Sequence, residues 1–190
     1  MRMNGKVPYD NILTISGEGQ NVGKTRLACN IIAKFSRTNE ISGIKITPHH
    51  HTNTGDAILV KSQDGISIYK ETNTRSKKDT SRMLAAGAVE AYLIQVADDT
   101  FEAVSDFLDK EIGHDTLIIC ESGRLPGRIK AGVSLFVRQL NCQVKDIAKK
   151  IPLRDIDRMV TNTVNGFDFD LNEIRISEHS WKLKTDERTA

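Results

Sequence analysis

A glycine-rich segment that ends in lysine and threonine constrains this chain more than any other feature. Residues 17–25 read Gly-Glu-Gly-Gln-Asn-Val-Gly-Lys-Thr, and they join an apolar strand predicted at 12–16 to a helix predicted at 23–37. In that context, backbone N–H groups and the helix N-terminus form a nest for phosphate, and the glycines let the backbone approach it closely. The segment therefore predicts a P-loop for a nucleoside triphosphate.

Single residues of this loop have distinct predicted roles. Lys24 is expected to neutralise the β- and γ-phosphate oxygens as a catalytic residue, and the Thr25 hydroxyl is expected to ligate Mg²⁺. The general pattern has glycine at the position of Glu18, and the glycines on either side still allow the loop to fold. Nucleotide contacts are predicted at Gly17, Gly19, Gln20, Asn21, Val22, Gly23, Lys24, Thr25 and Arg26.

Short β-type runs alternate with segments of helical periodicity along the chain. This alternation favours an α/β fold, here a P-loop NTPase three-layer sandwich with a mostly parallel sheet, in a single domain, 1–190. Within 55–72, two β-type runs flank an Asp-Gly dipeptide, which predicts an inserted β-hairpin. Further strands are predicted at 41–47, 91–96, 115–120, 133–137 and 158–161, and helices at 76–86, 99–111 and 144–151.

Composition excludes several classes of partner. The 27 basic and 25 acidic residues give a net charge of only +2, which does not indicate a nucleic-acid partner. The apolar runs are too short to cross a bilayer, which takes roughly 20 residues, and no signal peptide is recognised, so a cytoplasmic protein without a membrane partner is expected. Cys29, Cys120 and Cys142 lack Cys-x-x-Cys spacing and are interpreted as buried small hydrophobes.

Two polar residues end predicted strands at the edge where open α/β sheets gather ligands. Glu121 ends the most apolar strand, where P-loop folds place an acidic residue, and it is predicted to ligate Mg²⁺ beside Thr25 or to orient the attacking water as a catalytic residue. A solvated glutamate is the alternative. Asn162 follows the 158–161 strand and is predicted to contact the nucleobase. The chain has no Asn-Lys-x-Asp motif, so the choice between GTP and ATP stays open.

Lys45 and three histidines predict a site for a second, anionic ligand. Lys45 lies in the 41–47 strand, and His49, His50 and His51 follow it at the ligand-gathering edge. Three consecutive side chains on an extended chain do not all point the same way, so at most two could meet one metal. Contact with the phosphates of a ligand and a structural metal site both stay open.

The helix predicted from Ser76 contributes two more candidate residues to the second site. Asp79 and Arg82 are three apart, so they can pair on one face of this helix. Ser76 followed by Asp79 is also similar to a capping box, with Asp in place of Glu. The segment is therefore either a capped, salt-bridged surface helix or a helix that turns these two charges toward a ligand.

Several of these segments resemble known families. The segment at 78–88 reads Lys-Asp-Thr-Ser-Arg-Met-Leu-Ala-Ala-Gly-Ala. It resembles the Lys-Asp-Ser-x-Arg-x-x-x-Ala-Gly-Ala segment of the molybdopterin-guanine dinucleotide biosynthesis protein B family. With the P-loop, Gly-Ile-Lys at 43–45 and the histidines, the resemblance runs from about residue 11 to 123. The loop and the Gly-Ile-Lys-Ile-Thr-Pro segment at 43–48 are also similar to dethiobiotin synthetase.

The resemblance implies a P-loop NTP-binding protein, a Mg²⁺-dependent GTPase or NTPase that supports molybdopterin guanine dinucleotide cofactor biosynthesis. It implies Mg²⁺ and GTP or ATP as cofactors, a pterin nucleotide as second ligand, and a homodimer or a partner protein of cofactor biosynthesis. An ATP-dependent synthetase acting on a small carboxylate and a regulatory nucleotide-binding module are the alternatives. The stretch between 51 and 76 is longer than in the family, and the chain after Gly123 matches no pattern.

Overall fold

The computed structural model describes residues 7–48, 55–63, 65–97, 100, 102–141 and 151–184. The α-helices are α1 (Lys24–Phe35), α2 (Asp79–Ala85) and α3 (Glu102–Phe107). The main sheet contains β1 (Val7–Gly17), β2 (Ile41–Thr47), β3 (Ile58–Gln63), β4 (Ile66–Lys70), β5 (Glu90–Val96), β6 (Leu117–Glu121), β7 (Ile129–Gln139), β8 (Arg158–Thr163) and β9 (Gly166–Phe167). A separate hairpin consists of β10 (Ile174–Ser177) and β11 (Ser180–Leu183).

The main sheet is mostly parallel. In the described part of the chain its order is β3-β4-β5-β2-β6-β1-β7-β8-β9. The six strands from β5 to β8 pair in parallel, whereas β3, β4 and β9 are added at the two edges by antiparallel pairing. The expected α/β architecture with a mostly parallel sheet is therefore confirmed. Since the parallel strands share one direction, the loops after β1, β2, β6 and β8 meet at one edge.

Both faces of the sheet are buried, which suits the continuous apolar runs of its central strands. In β1, Leu13 and Ile15 pack with α1 and α2 on one face, whereas Ile12 packs with α3 on the other. All five residues of β6 are buried. On α1, the buried residues recur at helical spacing, so one stripe of the helix faces the sheet. The N-termini of α1 and α2 consequently lie on the same side of the molecule.

The predicted hairpin is confirmed and is part of the main sheet. β3 and β4 pair antiparallel, and β4 continues the sheet by pairing with β5. Gly65 has a φ of 79° in the turn, a conformation that favours glycine; Asp64 lies outside the described residues. β3 is the edge strand, and its side chains Ile58, Leu59 and Val60 are exposed.

The helix predictions need three corrections. α2 begins at Asp79, not at Ser76, and its N-cap Lys78 makes no side-chain cap bond. The Ser76 Oγ instead accepts a hydrogen bond from the Lys78 N–H at 3.3 Å, so the predicted capping box is wrong. α3 covers only part of the helix predicted at 99–111 and continues as a wider helical turn over 108–112. Most of the helix predicted at 144–151 lies outside the described residues.

Two further features complete the fold. The hairpin of β10 and β11, which the sequence left unassigned, buries Trp181 against β1 and β7, and this ring meets Phe35 of α1 edge-on at 5.7 Å. Cys120 is buried in β6 and Cys29 is half-buried on α1, and burial raises the pKa of both free thiols. Cys142 lies outside the described residues. Across the described ranges, no helix combines the length and apolarity needed to cross a membrane.

Candidate functional site

Polar side chains converge at the carboxyl ends of β1, β2, β6 and β8, beside the N-termini of α1 and α2. They line a pocket of about 570 Å³, a volume in the range of small-molecule sites. Its lining brings together predicted residues from five separate segments. The lining residues are Gln20, Asn21, Gly23, Lys24, Thr25, Arg26, Lys45, Thr47, Asp79, Arg82, Glu121 and Asn162.

The glycine loop (residues 17–25) is shaped by its backbone. A Cβ at Gly17 would lie 2.7 Å from the Val137 carbonyl oxygen, so only glycine fits there without movement. Gly23 has a φ of 101°, in the left-handed region, directly before α1. Glu18, which departs from the general pattern, has a structural use: its carboxylate accepts a hydrogen bond from the Gln139 N–H at 2.9 Å. This hydrogen bond connects the glycine loop to the end of β7.

Lys24 folds back over the glycine loop. Its Nζ donates a hydrogen bond to the Gly19 carbonyl on the other side of the loop. Asn21, at the tip, has a φ of 58°, a left-handed conformation that asparagine tolerates better than most residues. Because Lys24 also lines the pocket, an anion there would compete with the Gly19 carbonyl for this ammonium group.

Asn162 is tied to the glycine loop through both ends of its amide. Its Nδ2 donates to the Val22 carbonyl at 2.9 Å, and its Oδ1 accepts a hydrogen bond from Arg26. The Arg26 guanidinium lies 4.6 Å from the centre of the Phe167 ring, a cation–π contact. Asn162 lines the pocket and supports the glycine loop, and its predicted nucleobase contact stays a prediction.

Thr25, Asp79 and Glu121 meet at the base of the pocket. The Thr25 Oγ1 lies 2.7 Å from Glu121 Oε2 and 2.9 Å from Asp79 Oδ1, within hydrogen-bond reach of both carboxylates. The Glu121 side chain is only 3% exposed, whereas that of Asp79 is 36% exposed. The three residues come from α1, α2 and the end of β6, so the parallel sheet and the two helix N-termini together create this cluster of oxygen atoms.

No family model, curated protein or solved structure matches this chain. The functional reading therefore depends on the chemistry of the pocket and on the sequence segments described above. That chemistry is most specific where Thr25, Asp79 and Glu121 meet.

Lys45 balances the charge of the two carboxylates. Its Nζ contacts Glu121 Oε1 and lies 3.2 Å from Asp79 Oδ2. Burial by itself would lower the pKa of Lys45, but the adjacent Glu121 and then Asp79 outweigh burial, so the pKa of Lys45 is raised above its ordinary value. Lys45 consequently stays charged at neutral pH. The two carboxylates thus already bind one cationic group, the Lys45 ammonium.

The oxygen cluster fits a hard divalent cation. Mg²⁺ prefers oxygen ligands and is commonly bound by one or two carboxylates together with substrate phosphates and water. Thr25, Asp79 and Glu121 supply one hydroxyl and two carboxylates beside the glycine loop. Within the described ranges, no group of three or more His, Cys, Asp or Glu side chains could hold a metal ion. A cation at these three side chains would therefore need further oxygen ligands, such as phosphate or water, to complete its coordination.

Of the six residues predicted to bind a second ligand, three line the pocket and three lie outside the described residues. Lys45, Asp79 and Arg82 all line the pocket, and Arg82 lies 3.8 Å from Asp79, so the predicted pair forms. However, Lys45 and Asp79 contact the Thr25–Glu121 cluster directly, which places them at the predicted metal position. The three histidines, His49, His50 and His51, lie outside the described residues.

A smaller pocket of about 380 Å³ adjoins the first at Thr47, which lines both. Arg124 contributes a charge to its mainly apolar wall. Sequence reasoning missed this pocket and also Gly43, where a Cβ would lie 2.9 Å from the Met83 sulfur and push α2 away from β2. Glycine in a predicted strand is a signal for such a close approach. The pocket is lined by Gly17, Ile46, Thr47, Pro48, Val96, Gly123, Arg124 and Ile151.

Proposed function

We propose that this protein is a Mg²⁺-dependent P-loop NTPase that binds GTP or ATP and hydrolyses it in support of molybdopterin guanine dinucleotide cofactor assembly. The observation that carries the proposal is the meeting of the Thr25 hydroxyl with Asp79 and Glu121, at 2.9 and 2.7 Å, directly after the glycine loop. The cofactor pathway is supported by the sequence resemblance over residues 11–123.

Phosphate binding would use the glycine loop and α1. Backbone N–H groups of the loop and the positive end of the α1 dipole would hold the β-phosphate. Lys24, now on the Gly19 carbonyl, would exchange that contact for the β- and γ-phosphate oxygens. A charge-assisted hydrogen bond to phosphate is stronger than the neutral one it replaces, so nucleotide binding would draw Lys24 away from the loop backbone.

The metal would be held by Thr25, Asp79 and Glu121. When bound, Mg²⁺ would neutralise phosphate charge and polarise the bond that is cleaved. Glu121, the most buried of the three, would fix the geometry of the set and orient the attacking water. Lys45 now pairs with Glu121 and Asp79, and once Mg²⁺ neutralises these carboxylates it would exchange them for a transferred phosphate group.

The proposal is tested by phosphate release from ATP and GTP, with and without Mg²⁺. We expect slow turnover that requires Mg²⁺. A Thr25→Val variant should lose it because valine keeps the shape of threonine without the hydroxyl, and Thr25→Ser should retain most of it. Turnover that survives removal of Mg²⁺, or that is equal in the valine and serine variants, contradicts the proposal.

An ATP-dependent synthetase on a small carboxylate is the second candidate, and the adjoining pocket favours it. A small substrate with an apolar body and a carboxylate would fit the mainly apolar wall and Arg124 there, next to Thr47. A synthetase should hydrolyse ATP only when its small substrate is present. Turnover should therefore be compared with and without a series of small mono- and dicarboxylates. Nucleotide binding with negligible turnover in every case would favour the regulatory module instead.

A further inference from the structure

The segment 71–79, here named the acidic loop after the carboxylates Glu71 and Asp79 at its two ends, brings Asp79 to the pocket, and its buried carboxylate Glu71 has a different use. Glu71 directly follows β4 and is only 5% exposed. Its N–H donates to the Ala91 carbonyl at 2.8 Å, which fixes its backbone to β5. A carboxylate at that depth is costly unless it is well hydrogen-bonded. The hydrogen-bond donors around the Glu71 carboxylate therefore indicate its role.

Glu71 ties the start of the acidic loop to its end. One carboxylate oxygen accepts hydrogen bonds from the N–H groups of Thr72 and Asn73, at 3.1 and 3.0 Å. The other accepts from the hydroxyl of Thr80 at 2.9 Å. Thr80 is itself 5% exposed and is the residue that follows Asp79. The carboxylate thus bridges the two ends of the segment that precedes α2.

The buried side chain of Ser81 also joins α2 to the acidic loop. The Ser81 Oγ, with Ser81 fully buried, accepts a hydrogen bond from the Ser76 N–H at 3.0 Å. α2 has only seven residues, so it has too few internal hydrogen bonds to hold its own position. The two residues after Asp79 therefore fix the first turn of α2 to the loop, in addition to the packing of Met83 on the sheet.

We infer that Glu71 is a positioning residue that sets the Asp79 carboxylate against Thr25 through Thr80, and so sets the affinity of the site for its divalent cation. The pocket lining contains Asp79 but not Glu71, so Glu71 acts without touching the ligand. The inference rests on the proposed function, because it requires a metal at Thr25, Asp79 and Glu121.

The test is the affinity of the full chain for Mn²⁺, followed by the electron paramagnetic resonance of free Mn²⁺, with a non-hydrolysable ATP or GTP analogue present. Glu71→Ala and Thr80→Val should weaken Mn²⁺ binding about tenfold and leave metal-free nucleotide affinity unchanged. Glu71→Gln should bind Mn²⁺ nearly as wild type does, because its carbonyl can accept from the backbone and its amide can donate to the Thr80 hydroxyl. Thr80→Ser should also retain affinity.

Thr14→Val is the matched control. The Thr14 hydroxyl is buried and donates to Ser134 at 3.0 Å, in the sheet and away from the pocket lining. This variant should lose stability like Thr80→Val without any change in Mn²⁺ affinity. If folded Glu71→Ala binds Mn²⁺ with wild-type affinity, the inference about Glu71 is wrong and the proposed function is unaffected.

Failure of the variants and failure of the proposed function give different results. If Glu71→Ala does not fold, the Thr80→Val and Thr80→Ser pair decides, and equal Mn²⁺ affinity in these two variants would overturn the inference. If the wild-type protein binds no Mn²⁺ with either analogue, the proposed function falls and this inference falls with it.

Discussion

The glycine loop and the acidic loop bring an oxygen atom to the same point by different physical means. The glycine loop delivers Thr25 through backbone geometry, with Gly17 pressed against β7 and Gly23 at a φ of 101°. The acidic loop delivers Asp79 through buried side-chain hydrogen bonds, chiefly those of Glu71. Both loops follow strands of one sheet, yet only the first contains glycine.

This difference predicts which substitutions each loop tolerates. A loop that depends on glycine conformations loses its shape when a Cβ is added at a critical position. A loop held by side-chain hydrogen bonds tolerates any residue that offers equivalent donors and acceptors. We therefore expect the glycine loop to respond to backbone substitutions and the acidic loop to respond to the loss of single polar groups.

The largest effect is expected where the two loops meet. Glu121→Gln should lower turnover about 100-fold or more, because it removes charge from the metal-facing group while keeping its size, and most nucleotide affinity should remain. Phosphate release and calorimetric binding measure the two quantities. Glu18→Gln is the control, since this carboxylate binds Gln139 rather than the cluster. Equal turnover in Glu121→Gln and wild type would reassign Glu121 to a structural role.

The next effect concerns the charge carried by the glycine loop. Lys24→Ala should weaken triphosphate binding about tenfold to a hundredfold, the range expected for a charge-assisted contact, with little change in stability. Calorimetry and urea unfolding are the measurements. Lys34→Ala, on the same helix but bonded to Asn172, should bind as wild type does. The role assigned to Lys24 would be wrong if both alanine variants bound triphosphate equally well.

Backbone dependence is tested by two glycines of the same loop. Gly17→Ala should lower the free energy of unfolding by about 1–3 kcal/mol, because its Cβ would lie 2.7 Å from the Val137 oxygen. Gly19→Ala meets no heavy atom within 4 Å and should change stability by less than about 0.5 kcal/mol. Urea unfolding distinguishes them, and similar values for the two variants would break the comparison between the loops.

The smallest effect is expected at Asn162. Because its amide bonds Val22 and Arg26, Asn162→Ala should weaken ATP and GTP binding alike, by about fivefold for the loss of about 1 kcal/mol. Parallel titrations with the two nucleotides measure this. A loss confined to one nucleotide would instead make Asn162 a reader of the base.

Sequence reasoning succeeded where a local pattern determines the structure. Glycine and lysine spacing predicted the glycine loop, and the apolar runs of β2 and β6 predicted that Lys45 and Glu121 share an edge of the sheet. It was wrong about Ser76, because a serine hydroxyl that serves a local turn has the same sequence signature as one that caps a helix.

The remaining features depend on contacts between distant residues. The place of Asp79 beside Thr25 requires α2 to pack closely on Gly43. Glycine in a strand indicates a close approach, but it does not indicate which element approaches. In the polar stretch at 72–75, the first two N–H groups donate to Glu71, a contact that the composition of the stretch does not predict. The hairpin containing Trp181 stayed unassigned because its short strands pair with each other and not with the main sheet.

The central claim is that Thr25, Asp79 and Glu121 hold a divalent cation together with a nucleoside triphosphate. Calorimetric titration of the wild-type chain with ATP and with GTP, each with and without Mg²⁺, tests it most directly. We predict one site per chain for at least one of the nucleotides and an affinity about tenfold or more higher with Mg²⁺, which corresponds to about 1.4 kcal/mol. Absence of binding by either triphosphate, or equal affinity with and without Mg²⁺, would contradict the account.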